Sequence, residues 1–129
     1  QKVLFSSVSD DWKTPAMVYQ TLDSEFHFDF DPCPLNSKID GLIVPWGNSN
    51  FVNPPYSKVY DWIQKGYNEW IQFEKTSVFL LPSRTDTKWW HHFVMKASQI
   101  RFIRGRLKFG NQKNSAPFPS CIVIFEGNK

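Results

Sequence analysis

Apolar residues recur at helical spacing over most of this chain and then, past residue 100, at every second position. Thr14-Pro15 reads as an N-cap followed by proline at the first helical position, and Val18, Tyr19, Leu22 and Phe26 follow on one helical face. Phe28 to Phe30 is a short strand candidate, stopped by the prolines of Asp31-Pro32-Cys33-Pro34. Residues 36–50 read mostly as loop. Phe51-Val52 is a short apolar strand that runs directly into Asn53-Pro54-Pro55-Tyr56. A helix is predicted from about Ser57, with Val59, Trp62, Ile63, Tyr67, Trp70 and Ile71 on its apolar face. Ser77 to Leu81 is a strand closed by Pro82, and Ser83-Arg84-Thr85-Asp86 has capping-box spacing. Trp89, Trp90, Phe93, Val94 and Ala97 line the next helix. Then the period changes. Ile103, Gly105, Leu107 and Phe109 alternate with Arg104, Arg106 and Lys108, which predicts a half-buried strand with a cationic outer face. A loop and Ala116-Pro117-Phe118-Pro119 lead to a last buried strand, Cys121 to Phe125.

Strands alternating with helices, followed by two strands joined by a loop, imply an α/β sheet, mostly parallel with an antiparallel C-terminal end. Asp31, Asn53 and Ser83-Arg84 each come just after a predicted strand. Ligands of open α/β sheets bind beyond the carboxyl ends of the strands, so these clusters are expected to meet on one rim.

Length and composition add bounds. The 129 residues fit one domain, taken here as residues 1–129, and the 41% hydrophobic content is that of a globular chain. Aromatic residues make up 17%, enough for both a core and a site that stacks flat rings. Cys33 and Cys121 provide neither a disulfide framework nor a zinc set; one bridge between them is open, and a reducing cytoplasm is the default expectation. No run is apolar enough for a membrane span, no signal peptide is visible, and a start at Gln1 rather than Met reads as a trimmed fragment. Charge is unevenly spread. Residues 1–83 hold six Lys/Arg against ten Asp/Glu, whereas residues 84–113 hold eight against one. That polarity suits chemistry in one part and a grip on a polyanion in another, and suits a solvated positive face equally.

The tetrapeptide carries a specific chemistry. An aromatic amine such as adenine N6 is a poor nucleophile because its lone pair is delocalised into the ring. Two acceptors for its hydrogens favour the tetrahedral nitrogen that forms during methyl transfer. Asn53 offers a side-chain oxygen and Pro54 a carbonyl, held by consecutive prolines. Tyr56 offers a ring on which an extruded base can stack. The plainer reading is a proline turn ending a strand, with Tyr56 packed in the core.

With these residues in place, the chain resembles the phage-type DNA N-6-adenine-methyltransferase family, in which Asn-Pro-Pro-Tyr is the catalytic motif. The similarity runs from Asp11-Trp12-Lys13-Thr14-Pro15 through Phe28-Asp29-Phe30-Asp31-Pro32-Cys33, Asp40-Gly41-Leu42 and residues 51–56. It continues through residues 80–87, 100–109 and 116–120, covering nearly the whole chain in order. The resemblance implies a reduced Rossmann-like methyltransferase fold that uses S-adenosylmethionine and acts on DNA in the cytoplasm of a bacterial or phage-infected cell, without a metal or a membrane. It implies catalytic roles for Asn53, Pro54, Pro55 and Tyr56. It implies cofactor contacts from Thr14, Pro15, Asp31, Pro32, Cys33 and Asp40; taken alone, Asp31 reads as a turn residue.

Phe118 is a candidate second face for the stacked base, or a loop aromatic that closes the core. Arg84 is a candidate for a phosphate or the cofactor carboxylate, or pairs with Asp86. The cationic residues Arg104, Arg106 and Lys108 are the candidate phosphate contacts. Trp89 and Trp90 fit core packing, and His91-His92 lack a third metal ligand nearby.

The chain also departs from the pattern. Asp31-Pro32-Cys33-Pro34 lacks the usual glycines, and only about twenty residues separate it from Asn53, where a βαβ unit needs about thirty. The elements that flank the cofactor adenosine are therefore expected to be reduced or missing, and a separate target-recognition domain is not expected within these residues. A homodimer or residues before Gln1 are the ways to make up the difference. The tetrapeptide also serves cytosine N4, RNA or protein-amide methylation, and a non-catalytic DNA-binding relic of the fold is the remaining alternative.

Overall fold

The computed structural model describes residues 12–35 and 37–127, so Asp11 of the N-terminal segment lies outside the described residues. Helix α1 spans Ala16–Phe26 and strand β1 Ser49–Val52. A 3₁₀ turn at Tyr56–Lys58 leads into helix α2, Val59–Phe73, and strand β2 covers Thr76–Pro82. Helix α3 is short, Lys88–His92, followed by a 3₁₀ turn at Val94–Lys96. Strands β3, Gln99–Phe102, and β4, Ser120–Phe125, complete one sheet of order β1-β2-β4-β3.

The β1–β2 pairing is parallel, while β2–β4 and β4–β3 are antiparallel. Phe30 adds a parallel bridge to Asn50 outside β1. The antiparallel end matches the sequence pattern, but the sheet is more evenly mixed than the mostly parallel one expected. The difference lies at segment 28–30, expected as a strand but paired over a single parallel bridge. The antiparallel end is present but is built by Gln99–Phe102, and the cationic alternation at 103–109 is not a strand. Instead β3 ends at Phe102, and residues 103–109 form an irregular segment with Gly105 at φ 78°. The inside–outside alternation survives without the ladder: Ile103, Leu107 and Phe109 face inward, and Arg104, Arg106 and Lys108 are exposed.

Both faces of the sheet are covered, which is why β2 and β4 read as unbroken apolar runs. On one side Trp46, Trp62, Ile63, Phe79, Trp90, Phe93 and Phe125 pack together under α2 and α3. On the other, Leu22 of α1 meets Phe51, Leu80, Phe109, Phe118 and Ile122. Gly66 lets α2 close on the sheet, since a Cβ there would lie 2.5 Å from the Phe79 ring. The predicted face of α2 holds except at Ile71, which is 57% exposed. Glu69, 4% exposed, is instead turned inward and accepts the Trp46 N–H at 2.8 Å.

Two capping assignments change. Neither Thr14 nor Pro15 caps α1 with a side chain, and α3 is capped by Thr87, whose hydroxyl accepts the Trp90 N–H at 3.2 Å, rather than by Ser83. The first of these bears on the site, because the Thr14 hydroxyl is engaged elsewhere.

The loop before β1 is held by side chains. The Asn50 amide, fully buried, accepts from Gly47 N–H and donates to the carbonyls of Gly47 and Thr76. The Trp46 indole N–H donates to Gly41 O at 2.7 Å, and Gly41 sits so close to Pro32 that a Cβ would overlap its carbonyl. These contacts bring residues 31–35 back against the carboxyl end of β1. That end is where the polar clusters collect.

Candidate active site

At the carboxyl ends of Phe30 and β1 the chain turns twice, at Asp31 and at Asn53, and α1 begins beside them. Together they wall a cleft of about 500 Å³, a volume usual for a small-molecule site. Its lining includes Thr14, Asp31 and Cys33 from the predicted cofactor set and Asn53, Pro54 and Pro55 from the tetrapeptide. Groups from three separated stretches of sequence therefore share one opening.

Asn53 is held by its nitrogen. Its Nδ2 donates to the Trp12 carbonyl and to Thr14 Oγ1, the latter at 3.0 Å. A main-chain carbonyl only accepts, so the amide must turn its NH₂ toward Trp12 and its oxygen away. Asn53 Oδ1 is consequently left without a hydrogen-bond partner although it is buried. A buried acceptor without a donor is costly in a fold, by about 1–3 kcal/mol, and marks a place where another group is expected.

Asp31 is part-buried. Its Oδ1 accepts the Cys33 N–H at 2.9 Å, so the turn reading and the cleft reading both apply. Burial raises its carboxyl above the ordinary carboxylate range, and the Cys33 hydrogen bond offsets only part of that. Pro32 is buried beneath this turn and Pro15 is partly buried at the start of α1; neither lines the cleft. Asp40 departs from the expectation. It is exposed, lies outside the cleft lining, and its Oδ1 accepts the Leu42 N–H in a local turn.

Tyr56 sits in a cluster of rings that includes Trp12; Trp12 lines the cleft, and Tyr56 itself does not. Trp12 stacks on it with centroids 6.0 Å apart and planes 18° apart. Phe118 and Phe109 meet it edge-on, at 70° and 84°. The Tyr56 hydroxyl is buried without a partner, and burial drives its pKa well above the ordinary phenol value. Phe118, 8% exposed, thus stands edge-on in this cluster and not as a face parallel to Tyr56; the ring parallel to Tyr56 is Trp12, stacked directly against it.

Arg84 is exposed on the rim beyond β2, with its guanidinium carbon 6.0 Å from the Phe118 ring. The ion pairs among the described residues, Lys65–Glu69 and Arg101–Glu25, include no Arg84–Asp86 pair. Arg84 therefore lies by the ring cluster of Tyr56 and does not line the cleft. Arg104, Arg106 and Lys108 are exposed on the segment between β3 and Phe109. That segment is tied to the site: the Ala116 N–H donates to Leu107 O at 2.7 Å, and the Gly110 N–H donates to Lys13 O at 2.9 Å.

Trp12, Lys13, Tyr19 and Gln20 line the cleft but were not singled out from the sequence. Tyr19 belongs to the apolar stripe of α1, whose spacing does not distinguish a cleft wall from core. Trp12 stood in the N-terminal motif, where an aromatic beside Thr14-Pro15 was the available signal. Among the described residues no group of His, Cys, Asp and Glu is gathered for a metal, and no helix is long and apolar enough to cross a membrane.

Comparison with known proteins agrees with the sequence pattern. The profile of the DNA N-6-adenine-methyltransferase (Dam) family matches residues 1–127. A DNA N-6-adenine-methyltransferase from Haemophilus phage HP1 (strain HP1c1) is 30% identical over 139 aligned positions, covering 93% of this chain and 80% of the relative. No solved structure matches the chain.

Proposed function

The chain belongs to the DNA N-6-adenine-methyltransferase family, and on that footing we propose that it methylates the N6 amine of adenine in DNA with S-adenosylmethionine as donor. The observation that carries the mechanism is the Asn53 amide, pinned through its nitrogen with Oδ1 left over as an acceptor. In this reading Oδ1 takes one hydrogen of the adenine amine and the Pro54 carbonyl takes the other. Both are fixed before substrate arrives, so no reorganisation is needed as positive charge develops on nitrogen. Tyr56 receives the extruded base on its ring.

The cleft suits the cofactor on chemical grounds. S-adenosylmethionine carries cationic groups, and Asp31 is a part-buried carboxylate whose charge burial disfavours, a penalty that a cation relieves. Asp31, Lys13, Thr14 and Cys33 would hold it, and Tyr19 and Phe51 would supply apolar wall. When bound, it supplies an electrophilic methyl group to the amine. Thr14 then has a second duty, since its hydroxyl also anchors the Asn53 amide.

Arg104, Arg106 and Lys108 supply phosphate contacts and Arg84 a contact near the base side. The mixed sheet is read as a reduced Rossmann-like methyltransferase fold in a single domain, acting in the cytoplasm. A homodimer is retained in the proposal because so little chain separates Asp31 from Asn53.

The test is direct. The protein is mixed with methyl-labelled S-adenosylmethionine and unmethylated duplex DNA, and the DNA is digested to nucleosides. Label in N6-methyladenine supports the proposal. Label in N4-methylcytosine, in RNA or in protein, or cofactor binding with no transfer to any of them, overturns it.

A further inference from the structure

The ring on Tyr56 is the most unusual feature of the site. Trp12 lies nearly parallel to it, and Phe109 and Phe118 close the sides of the pair edge-on, at 66° and 84° to the indole. The result is a box with Tyr56 as its floor and an indole as its contents. Indole and purine are fused bicycles of the same ring sizes, flat and π-rich, so what fills the box has the shape of the proposed substrate base.

We propose that Trp12 is a resident stand-in for the target adenine: in the free protein its indole takes the stacking place on Tyr56, and the extruded base enters by exchanging with it. This rests on the reading that the base stacks on Tyr56. It adds a residue that contacts the base site and a step that precedes methyl transfer.

The surrounding bonds make such an exchange local. Lys13, next along the chain, is fixed to the turn after Phe109: its carbonyl accepts the Gly110 N–H at 2.9 Å, and its N–H donates to Asn111 Oδ1 at 3.0 Å. The Trp12 carbonyl accepts from Asn53. The main chain of Trp12 is therefore tied on one side to the segment that carries Arg104, Arg106 and Lys108, and on the other to the catalytic amide. The exchange calls for the indole to turn out of the box while these main-chain ties keep the Asn53 amide in its orientation. A filled box also spares the free protein an empty apolar cavity, and base stacking offsets the loss when the indole moves.

The test uses the full chain labelled with 5-fluorotryptophan, in which the ¹⁹F resonance missing from Trp12→Phe identifies Trp12. The probe is a short duplex bearing a site that the transfer assay labels, together with S-adenosylhomocysteine. The Trp12 resonance is expected to move toward the solvent-exposed position on adding the duplex, and to stay in place with S-adenosylhomocysteine alone. In parallel, Trp12→Ala removes the competitor for the box and is expected to lower the KM for DNA by about threefold to tenfold, the worth of one aromatic pair. An unmoved resonance in protein that methylates the duplex overturns the proposal. So does a Trp12→Ala protein that is folded by circular dichroism and has lost transfer, because the indole would then be a permanent wall. Should Trp12→Ala not fold, Trp12→Phe, whose smaller ring fills the box less, is expected to show the same fall in KM, and a rise overturns the idea. Failure here is separable from failure of the underlying reading: only the latter leaves Tyr56→Ala with full transfer.

Discussion

Replacing Asn53 by Ala removes both halves of what the side chain does, and the two halves have different sizes. The nitrogen side makes two hydrogen bonds, to the Trp12 carbonyl and to Thr14 Oγ1. At about 1 kcal/mol each their loss is destabilising, but the same substitution removes the partnerless Oδ1, whose burial costs about 1–3 kcal/mol, so the two nearly cancel. At about 4 °C per kcal/mol for a chain of this size, the melting temperature shifts by only a few degrees. The oxygen side is a preorganised acceptor, and removal of one such group costs about 10²- to 10³-fold in kcat, or ~2.7–4 kcal/mol. Thr14→Val is the matched comparison. It removes one anchor, but the Trp12 carbonyl still accepts only, so the amide keeps its orientation and kcat drops by less than about tenfold. The assay is label transfer from S-adenosylmethionine to unmethylated DNA at saturating concentrations of both and well below either melting temperature, with the cofactor KM measured alongside. A kcat for Asn53→Ala within about tenfold of the parent would refute the acceptor role. A Thr14→Val protein whose kcat falls as far as that of Asn53→Ala would refute the assignment of amide orientation to Trp12.

Further expectations concern the charge, the packing and the carboxylate. Reversing two of Arg104, Arg106 and Lys108 should weaken DNA binding and flatten the slope of log K against log salt by about 1.8, or about 0.9 per phosphate contact; an unchanged slope removes them from the interface. Gly66→Ala should shift the urea midpoint downward by about 1–2 kcal/mol equivalent, since the clash with Phe79 exceeds the gain in helix propensity; an unchanged midpoint means that the sheet yields more readily than the contact implies. Because the Asp31 carboxyl is raised by burial, cofactor affinity should fall with decreasing pH earlier than an exposed carboxylate would cause, and Asp31→Asn should abolish that step. The stability effect has the opposite sense: the folded state holds this proton more tightly, so the group's destabilising effect is felt above its raised pKa and is relieved as pH falls through it. Urea midpoints of Asp31→Asn and the parent should therefore converge at low pH, and a constant gap would contradict the burial argument.

The elements were legible where one period ruled over a long run. The apolar stripe of α2 and the unbroken strands β2 and β4 appear where the pattern puts them, because burial on one face or both dictates residue type directly. The segment 103–109 misled because alternation reports which side chains face inward and not whether a partner strand exists. Ile103 to Phe109 alternate correctly while Gly105, in the left-handed region, breaks the ladder. The site was legible at Asn53, Asp31 and Thr14, which reach one cleft. Asp40 was not, since an aspartate that serves a turn and one that serves a ligand look alike in sequence. The ring on Tyr56 was hidden for a different reason. Trp12 and Tyr56 are far apart along the chain, and a pairing of that kind follows from how α1 and the residues before it return over the sheet.

The place of β4 bears on how the protein is made. It lies between β2 and β3, with every residue buried, so neither neighbour has a lateral partner on that side until residue 125 is available. A nascent chain leaving the ribosome therefore carries β2 with one edge bare and its apolar side chains uncovered, and the tertiary structure closes only after translation has passed this point. A fragment that stops before Ser120 would leave that edge open to proteases and chaperones, which ties the appearance of folded protein in the cell to synthesis of β4.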